Sequence, residues 1–117
     1  MPDATFIKDL DMNEILILNT TDTRDLAEKI ASALVDSHEA ACVNIIPGIR
    51  SVYRWQGKVC DEEECLLLIK SSAEKFEAVR ATIRRLHSYN VPEIIAVPVT
   101  AGDPDYLAWL SSSVSSR

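Results

Sequence analysis

The sequence predicts an α+β fold, a ferredoxin-like βαββαβ sandwich with an extra C-terminal helix. Short apolar, β-branched runs alternate with segments of helical periodicity in the order strand, helix, strand, strand, helix, strand. The second and third strands are long and are separated only by a short turn, which predicts a long hairpin. The 117 residues suffice for one domain but not for two, and 47% are hydrophobic and 26% charged, as in soluble globular proteins.

The first strand and the first helix follow each other closely. Glu14–Thr20 carries four consecutive apolar residues at 15–18, a pattern typical of an inner strand covered on both faces. Asp22 and Thr23 are suited to cap the helix that follows, because their side-chain oxygens accept from free backbone N–H groups. One apolar stripe then recurs at helical spacing: Leu26, Ala27, Ile30, Ala31, Leu34 and Val35.

The long hairpin is predicted from two extended segments. Ala41–Arg54 is interrupted by Pro47-Gly48, which predicts a bulge because proline cannot donate to a strand ladder. Trp55–Lys58 is the turn, where Gly57 supplies the positive φ of a tight hairpin. Val59–Lys70 returns to the sheet. Arms of this length extend beyond a small core, which indicates contact with a partner.

The second helix is predicted to begin at a capping box, in which Ser71 and Glu74 satisfy each other's backbone N–H groups. Its apolar stripe consists of Phe76, Val79, Ile83 and Leu86. Two arginines near its end, Arg84 and Arg85, complement the negative end of the helix dipole.

The last strand and the C-terminal helix complete the domain. Pro92 excludes helix from the loop before it, and Ile94–Val99 has strand character. Asp103 is suited to cap a helix that begins at Pro104. We expect a flexible leader at 1–13, a single domain at 14–113 and a frayed serine-rich tail at 114–117.

One face of the predicted sheet lacks a cover. Two helices cover one face of a four-stranded sheet in this arrangement, yet valine, isoleucine and leucine occur on both sides of the strands. An apolar face of that size has to be buried, and self-association is the simplest way to bury it.

Charge and cysteine content exclude several classes of protein. Twelve basic against eighteen acidic residues give a net charge of −6, which argues against nucleic-acid binding. No apolar run approaches the roughly 18 residues of a membrane span. The charged start of the sequence does not resemble an export signal, so we expect Cys42, Cys60 and Cys65 to be free thiols in the cytoplasm.

A candidate site lies where the second helix ends. His87, Tyr89 and Glu93 combine an imidazole, a phenol and a carboxylate, which could bind a cation or a small polar ligand. A histidine at a helix C-terminus also has a purely structural interpretation, as a partner of the helix dipole. The acidic run Asp61–Glu64 is interpreted as a solvated arm that protects a strand edge, since alternation divides its carboxylates between two faces.

An enzymatic interpretation is weaker. Arg24 and Asn44 could imitate the arginine and asparagine of acyl-phosphate hydrolases that share the ferredoxin-like fold. The loop at 20–23 contains no glycine, however, although a phosphate cradle needs freely placed backbone amides. No serine or cysteine stands beside an evident base, so we expect the chain not to be an enzyme.

Five segments together resemble the CutA divalent-cation tolerance family. The resemblance extends from Glu14 to Leu110 and keeps the order and spacing of the segments. They are Ala40–Gly48, Tyr53–Lys58, Leu67–Lys70, His87–Glu93 and Gly102–Leu110.

The resemblance implies a compact homotrimer in which long hairpins pair edge to edge between neighbouring subunits. It also implies tolerance of copper and other divalent cations, binding of such ions, no obligatory cofactor and no established catalysis. The trimer is similar to that of the PII nitrogen-regulatory proteins, which suggests ligand clefts between subunits. The alternative function is therefore a PII-like sensor of a small molecule that acts on an unidentified protein partner.

The resemblance also indicates site residues. In some members the proposed copper ligands are a cysteine that ends the first strand and two adjacent histidines; this chain has Asn19 and Leu86 at two of those places and keeps His87. Glu93, Cys42 or other subunits would complete a metal site around His87. The ligand cleft would be lined by Lys70, Tyr89, Pro92 and Trp109, with Lys70 paired to Glu93.

Overall fold

The computed structural model describes residues 13–115. Its elements are β1 (Glu14–Thr21), α1 (Arg24–Asp36), β2 (Cys42–Trp55), β3 (Lys58–Ser72), a 3₁₀ turn (Ala73–Lys75), α2 (Phe76–Leu86), β4 (Ile95–Pro98) and α3 (Pro104–Ser115). The strands form one sheet in the order β2-β3-β1-β4, in which all neighbours are antiparallel. The predicted βαββαβ architecture with an added C-terminal helix is confirmed.

Two of the predicted helix caps are confirmed and one is wrong. Thr23 accepts a hydrogen bond from the Leu26 N–H at 3.1 Å, and the Asp103 carboxylate accepts from the Tyr106 N–H at 3.1 Å. Ser71 instead lies in β3 opposite Ile15, fully buried, and its hydroxyl donates to the carbonyl of Glu39. The strand ladder continues past the predicted cap, so α2 is entered through the 3₁₀ turn without a side-chain cap.

The hairpin of β2 and β3 is confirmed together with its bulge. The pairing register shifts between Ile46 and Ile49, where Gly48 has a φ of +78°. At the tip, Gln56 and Gly57 both have positive φ, as a two-residue hairpin turn of type I′ requires. Strands of 14 and 15 residues span about 45 Å, which agrees with the 48 Å long dimension of the molecule.

The hydrophobic core lies between the two helices α1 and α2 and one face of the sheet. Alternate residues of β1 and β3 point into it, and the side chains from both layers are fully buried. They are Ile17, Leu67 and Ile69 from the sheet and Ile30, Leu34, Val79 and Ile83 from the helices. This packing fixes which residues of each strand lie on the other face.

That other face, called the open face below, is apolar and accessible. Ile46, Ile95 and Val97 are 41%, 51% and 43% exposed. Leucines from the two central strands lie between them in half-buried positions: Leu16, Leu18, Leu66 and Leu68. A single copy of the chain therefore leaves an apolar sheet surface in contact with water.

The C-terminal helix α3 packs at one end of the sheet. Leu110 and Val114 are each 2% exposed, and the Ser111 hydroxyl donates to Glu14 at 2.6 Å. The helix continues to Ser115, so the first two residues of the predicted frayed tail are helical. Residues 1–12 of the leader predicted at 1–13, and residues 116–117 of the predicted tail, lie outside the described residues, and the domain boundary at 113 stays a prediction. Among residues 13–115, no helix is both long and apolar enough to cross a membrane.

Candidate functional site

A groove of about 660 Å³ lies between the outer half of the hairpin and the loop that follows α2. The hairpin and the loop contribute most of its lining, and β1 contributes one residue. The lining residues are Thr20, Ser51, Val52, Tyr53, Trp55, Glu64, Ser88, Tyr89, Asn90, Val91 and Glu93. The groove therefore combines aromatic rings with carboxylates.

Tyr89 and Glu64 connect the two walls of the groove. The Tyr89 hydroxyl donates to the Glu64 carboxylate at 2.6 Å, and Glu64 is only 6% exposed. Burial, and then the hydrogen bond to Glu64, raise the pKa of Tyr89 above its usual range. Tyr89 is therefore a neutral hydrogen-bond donor at any physiological pH.

Tyr53 and Trp55 form the aromatic part of the hairpin wall. The Tyr53 hydroxyl donates to Glu62 at 2.9 Å, and this hydrogen bond is the main reason why the pKa of Tyr53 is raised to about 12. Trp55 is 44% exposed at the hairpin tip. Both rings lie on the groove side of β2 because the bulge moves the odd-numbered residues after it to that side.

The acidic run Asp61–Glu64 is only partly the solvated arm that the sequence predicts. Asp61 lies at the surface in a bidentate ion pair with Arg50, at 3.0 and 2.7 Å. Glu64 is buried and belongs to the groove, so the solvated interpretation is wrong for this residue. The sequence carried a signal for it, since Glu64 alternates with the apolar Leu66 and Leu68 of the open face.

His87 has both ring nitrogens in hydrogen bonds. Its Nε2 lies 2.7 Å from the carbonyl oxygen of Thr20, and its Nδ1 accepts from the Tyr89 N–H at 3.1 Å. Because a carbonyl only accepts, the proton of the neutral ring is on Nε2. The ring also lies against that of Tyr89, with centroids 4.7 Å apart. His87 thus fastens the loop to the end of β1.

The three predicted metal ligands do not meet within one chain. Cys42 in β2 pairs with Lys70 in β3, and Lys70 pairs with Leu16 in β1. His87 contacts Thr20, which lies four residues beyond Leu16 in β1, or about 13 Å along the strand. In the part of the chain that the structure describes, no group of three or more His, Cys, Asp and Glu side chains is placed to hold a metal ion.

Asn19 holds the loop before β4 through a hydrogen bond. The resemblance places a proposed copper ligand, a cysteine, at this position in some family members. Asn19 is fully buried, and its amide donates to the backbone carbonyl of Glu93 at 2.9 Å. Its Oδ1 atom has no hydrogen-bond partner among the described residues. The Glu93 side chain is exposed at the groove. Asn19 therefore positions the groove wall, a role that sequence analysis did not assign to it.

Lys70 does not pair with Glu93 within one chain, so the pairing that the resemblance implies for a cleft between subunits stays a prediction. Its ammonium group donates to the Asn44 side chain, on the open face of the sheet. No ion pair joins Lys70 to Glu93 among residues 13–115. The Asn44 side chain therefore contacts Lys70 on the open face, whereas Arg24 is exposed at the start of α1. The arginine and asparagine pair of the hydrolase interpretation is not assembled in this chain.

The other predicted cleft residues divide between the groove and the rest of the molecule. Tyr89 lines the groove within one chain. Pro92 is buried in the loop beside it. Trp109 is 46% exposed on α3, where its ring lies 5.4 Å from that of Tyr106. Trp109 and Lys70 are absent from the lining of this groove.

Comparison with known proteins identifies the family. The family model described as CutA1 divalent ion tolerance protein matches residues 15–113, nearly the whole chain. The chain belongs to the CutA1 family. This confirms the resemblance found in the sequence. The matching family is described by divalent ion tolerance and not by a reaction, which agrees with the expectation that the chain is not an enzyme.

Relatives of this CutA1 chain are similar in sequence and in fold. The divalent-cation tolerance protein CutA of Thermus thermophilus is 45% identical over 97 residues, which cover 83% of this chain and 94% of that protein. A solved structure of a Thermus thermophilus divalent cation tolerance protein superposes with a TM-score of 0.85 at 43% identity, covering 87% of this chain and 99% of that one. A chloroplastic CutA of Arabidopsis thaliana is 43% identical over 85% of this chain and 54% of its own length.

Replacement of Tyr89 with phenylalanine should destabilise this CutA1 chain by about 1–3 kcal/mol, because the buried Glu64 carboxylate loses its hydrogen bond. The raised pKa of Tyr89 fixes the sign of the pH dependence. The contribution of neutral Tyr89 to the free energy of unfolding is complete below about pH 10, the pKa of tyrosine in the unfolded chain. It is lost as the pH rises above that value toward the higher pKa of Tyr89 in the folded chain. Urea unfolding at pH 8 and pH 11 measures both effects.

The control for this variant is Tyr106→Phe, on an exposed turn of α3 outside the groove. It should change the free energy of unfolding by less than about 0.5 kcal/mol. Equal stabilities of the two variants would contradict the role assigned to the hydrogen bond between Tyr89 and Glu64.

Proposed function

We propose that this chain is a homotrimeric divalent-cation tolerance protein that responds to copper and binds metal ions in clefts between its subunits. The observation that carries the proposal is the open face, where Ile46, Ile95 and Val97 are between 41% and 51% exposed although they lie on a continuous apolar sheet surface. Burial of that surface by further copies both stabilises the assembly and creates clefts.

The sheet edges support assembly of this kind. The strand order places β2 at one edge and the four-residue β4 at the other, so both have unpaired backbone groups along one side. The projecting half of the hairpin, with Val52 and Val59 67% and 64% exposed, can extend over a neighbour. Edge-to-edge pairing of hairpins would satisfy the backbone groups of β2.

A metal site in this assembly would draw on more than one subunit. Within one chain, His87 contacts Thr20 whereas Cys42 lies at the level of Leu16, about 13 Å away along β1, and Glu93 is exposed at the groove. Copper(II) prefers imidazole among the ligands that this chain offers. Coordination by Nδ1 of His87 releases the Tyr89 N–H, so copper has to compete with an existing hydrogen bond.

Copper(II) titration of the wild type and of His87→Ala tests this assignment by calorimetry. We expect the variant to bind at least about tenfold more weakly. The matched control is His38→Asn, since His38 has a φ of +64° that asparagine tolerates. If His87→Ala binds copper as tightly as the wild type, His87 is not the ligand.

A PII-like sensor of small molecules, acting on a protein partner, is the second candidate function. The groove beside Tyr89 favours it, since about 660 Å³ is ample for a small ligand. A screen of nucleotides and metabolites against a metal titration would separate the two functions. We propose the cytoplasm as the compartment because Cys42, Cys60 and Cys65 are all free; the Arabidopsis relative is named chloroplastic.

A further inference from the structure

The groove has an unusual charge balance. Its lining contains three aromatic rings, Tyr53, Trp55 and Tyr89, and two carboxylates, Glu64 and Glu93. No lysine or arginine is among the lining residues. The surface offered to a ligand is therefore aromatic and negative.

Glu64 is a buried carboxylate in this groove. It is 6% exposed, and its hydrogen-bond partner in the described chain is the hydroxyl of Tyr89. The ion pairs among residues 13–115 lie elsewhere, between Arg50 and Asp61 and between Arg80 and Glu77. A carboxylate withdrawn from water without a nearby cation is destabilising, and a cation in the groove would relieve that cost.

We propose that the groove binds an organic cation, with its ammonium or guanidinium group against the Glu64 carboxylate and its body against the rings of Tyr53, Tyr89 and Trp55. Aromatic faces attract such cations, and the attraction increases when water is excluded. A metal ion fits less well, because the described residues offer no group of three metal-ligating side chains. This inference rests on the proposed small-ligand function of the groove and gives the class of ligand.

Three aromatic probes of similar size but different charge test the charge requirement: benzylammonium, benzyl alcohol and benzoate, titrated by calorimetry at pH 7. Benzylammonium should bind the wild type at least about tenfold more tightly than benzyl alcohol, and benzoate should not bind. Quenching of tryptophan fluorescence gives a second readout, since Trp55 lines the groove and Trp109 does not.

The variant Glu64→Gln tests the site itself. Glutamine keeps the shape of the side chain and an acceptor for the Tyr89 hydroxyl but removes the charge. Benzylammonium should bind this variant at least about tenfold more weakly, with benzyl alcohol unaffected. The matched control is Glu63→Gln, a neighbouring exposed residue outside the groove, which should give the wild-type result with each of the three probes.

Three outcomes would overturn the proposal. They are equal affinity of the wild type for benzylammonium and benzyl alcohol, unchanged benzylammonium binding by Glu64→Gln, and loss of the oligomer in Glu64→Gln without any binding of benzylammonium to the wild type. The last outcome would show that a basic side chain of a second copy neutralises Glu64. The screen of nucleotides and metabolites is a separate measurement: binding of an uncharged or anionic ligand there would support the small-ligand function and contradict only the class of ligand proposed here.

Discussion

Replacement of Leu68 with glutamate is expected to convert the proposed assembly into folded monomers. Leu68 lies in the centre of the open face, between Leu18 of β1 and Asn44 of β2. Association would bury one new carboxylate from each copy in an apolar surface, at a cost of several kcal/mol for each charge. Sedimentation equilibrium measures the mass, and circular dichroism confirms that the monomer stays folded.

Ala81→Glu is the control for this prediction, because Ala81 is exposed on α2, away from the open face. It should remain assembled. The proposed assembly would be refuted by Leu68→Glu chains that keep the mass of the wild type. A wild-type chain that is a stable, well-folded monomer at micromolar concentration would refute it as well.

Replacement of Ile69 with alanine is expected to lower the free energy of unfolding by about 2–5 kcal/mol. Ile69 is the neighbour of Leu68 in β3 but points to the opposite face, where it is fully buried against the helices. The loss combines the transfer free energy of the deleted methyl and methylene groups with the cost of the cavity that remains. Urea unfolding at a fixed protein concentration measures it, since stability of an oligomer depends on concentration.

Val35→Ala provides the comparison for Ile69→Ala. Val35 lies on α1 and is 41% exposed, so its truncation should cost less than about 1 kcal/mol. Similar losses in the two variants would show that the core does not lie on the Ile69 face of the sheet.

The elements of the fold were predictable because their signals are local. The apolar run at 15–18, the helical stripes and the turn at Gly57 each identify an element from its own residues. The capping box at Ser71 failed because a distant strand, β1, pairs with that residue and keeps it extended. The serine-rich end of α3 stays helical because Val114 is buried against other parts of the chain, a contact that its own sequence does not show.

The candidate site was predictable only on one side. The loop with His87, Tyr89 and Glu93 carries its chemistry within seven residues, so sequence analysis found it. The opposite wall, with Tyr53, Trp55 and Glu64, becomes part of the site only when the hairpin is placed beside that loop. Strand register places Lys70 and Cys42 opposite each other and away from that loop within one chain, so their expected roles stay predictions for clefts between subunits.

The bulge at Pro47-Gly48 has a consequence for the whole outer hairpin. Before it, even-numbered residues of β2 such as Asn44 and Ile46 lie beside Leu68 and Leu66; after it, odd-numbered ones such as Tyr53 take that side. One added residue thus moves every later side chain of β2 to the opposite face of the hairpin. Without the bulge, Arg54 would lie on the groove side in place of Tyr53 and Trp55. Its positive charge would then lie on the same side as Glu64.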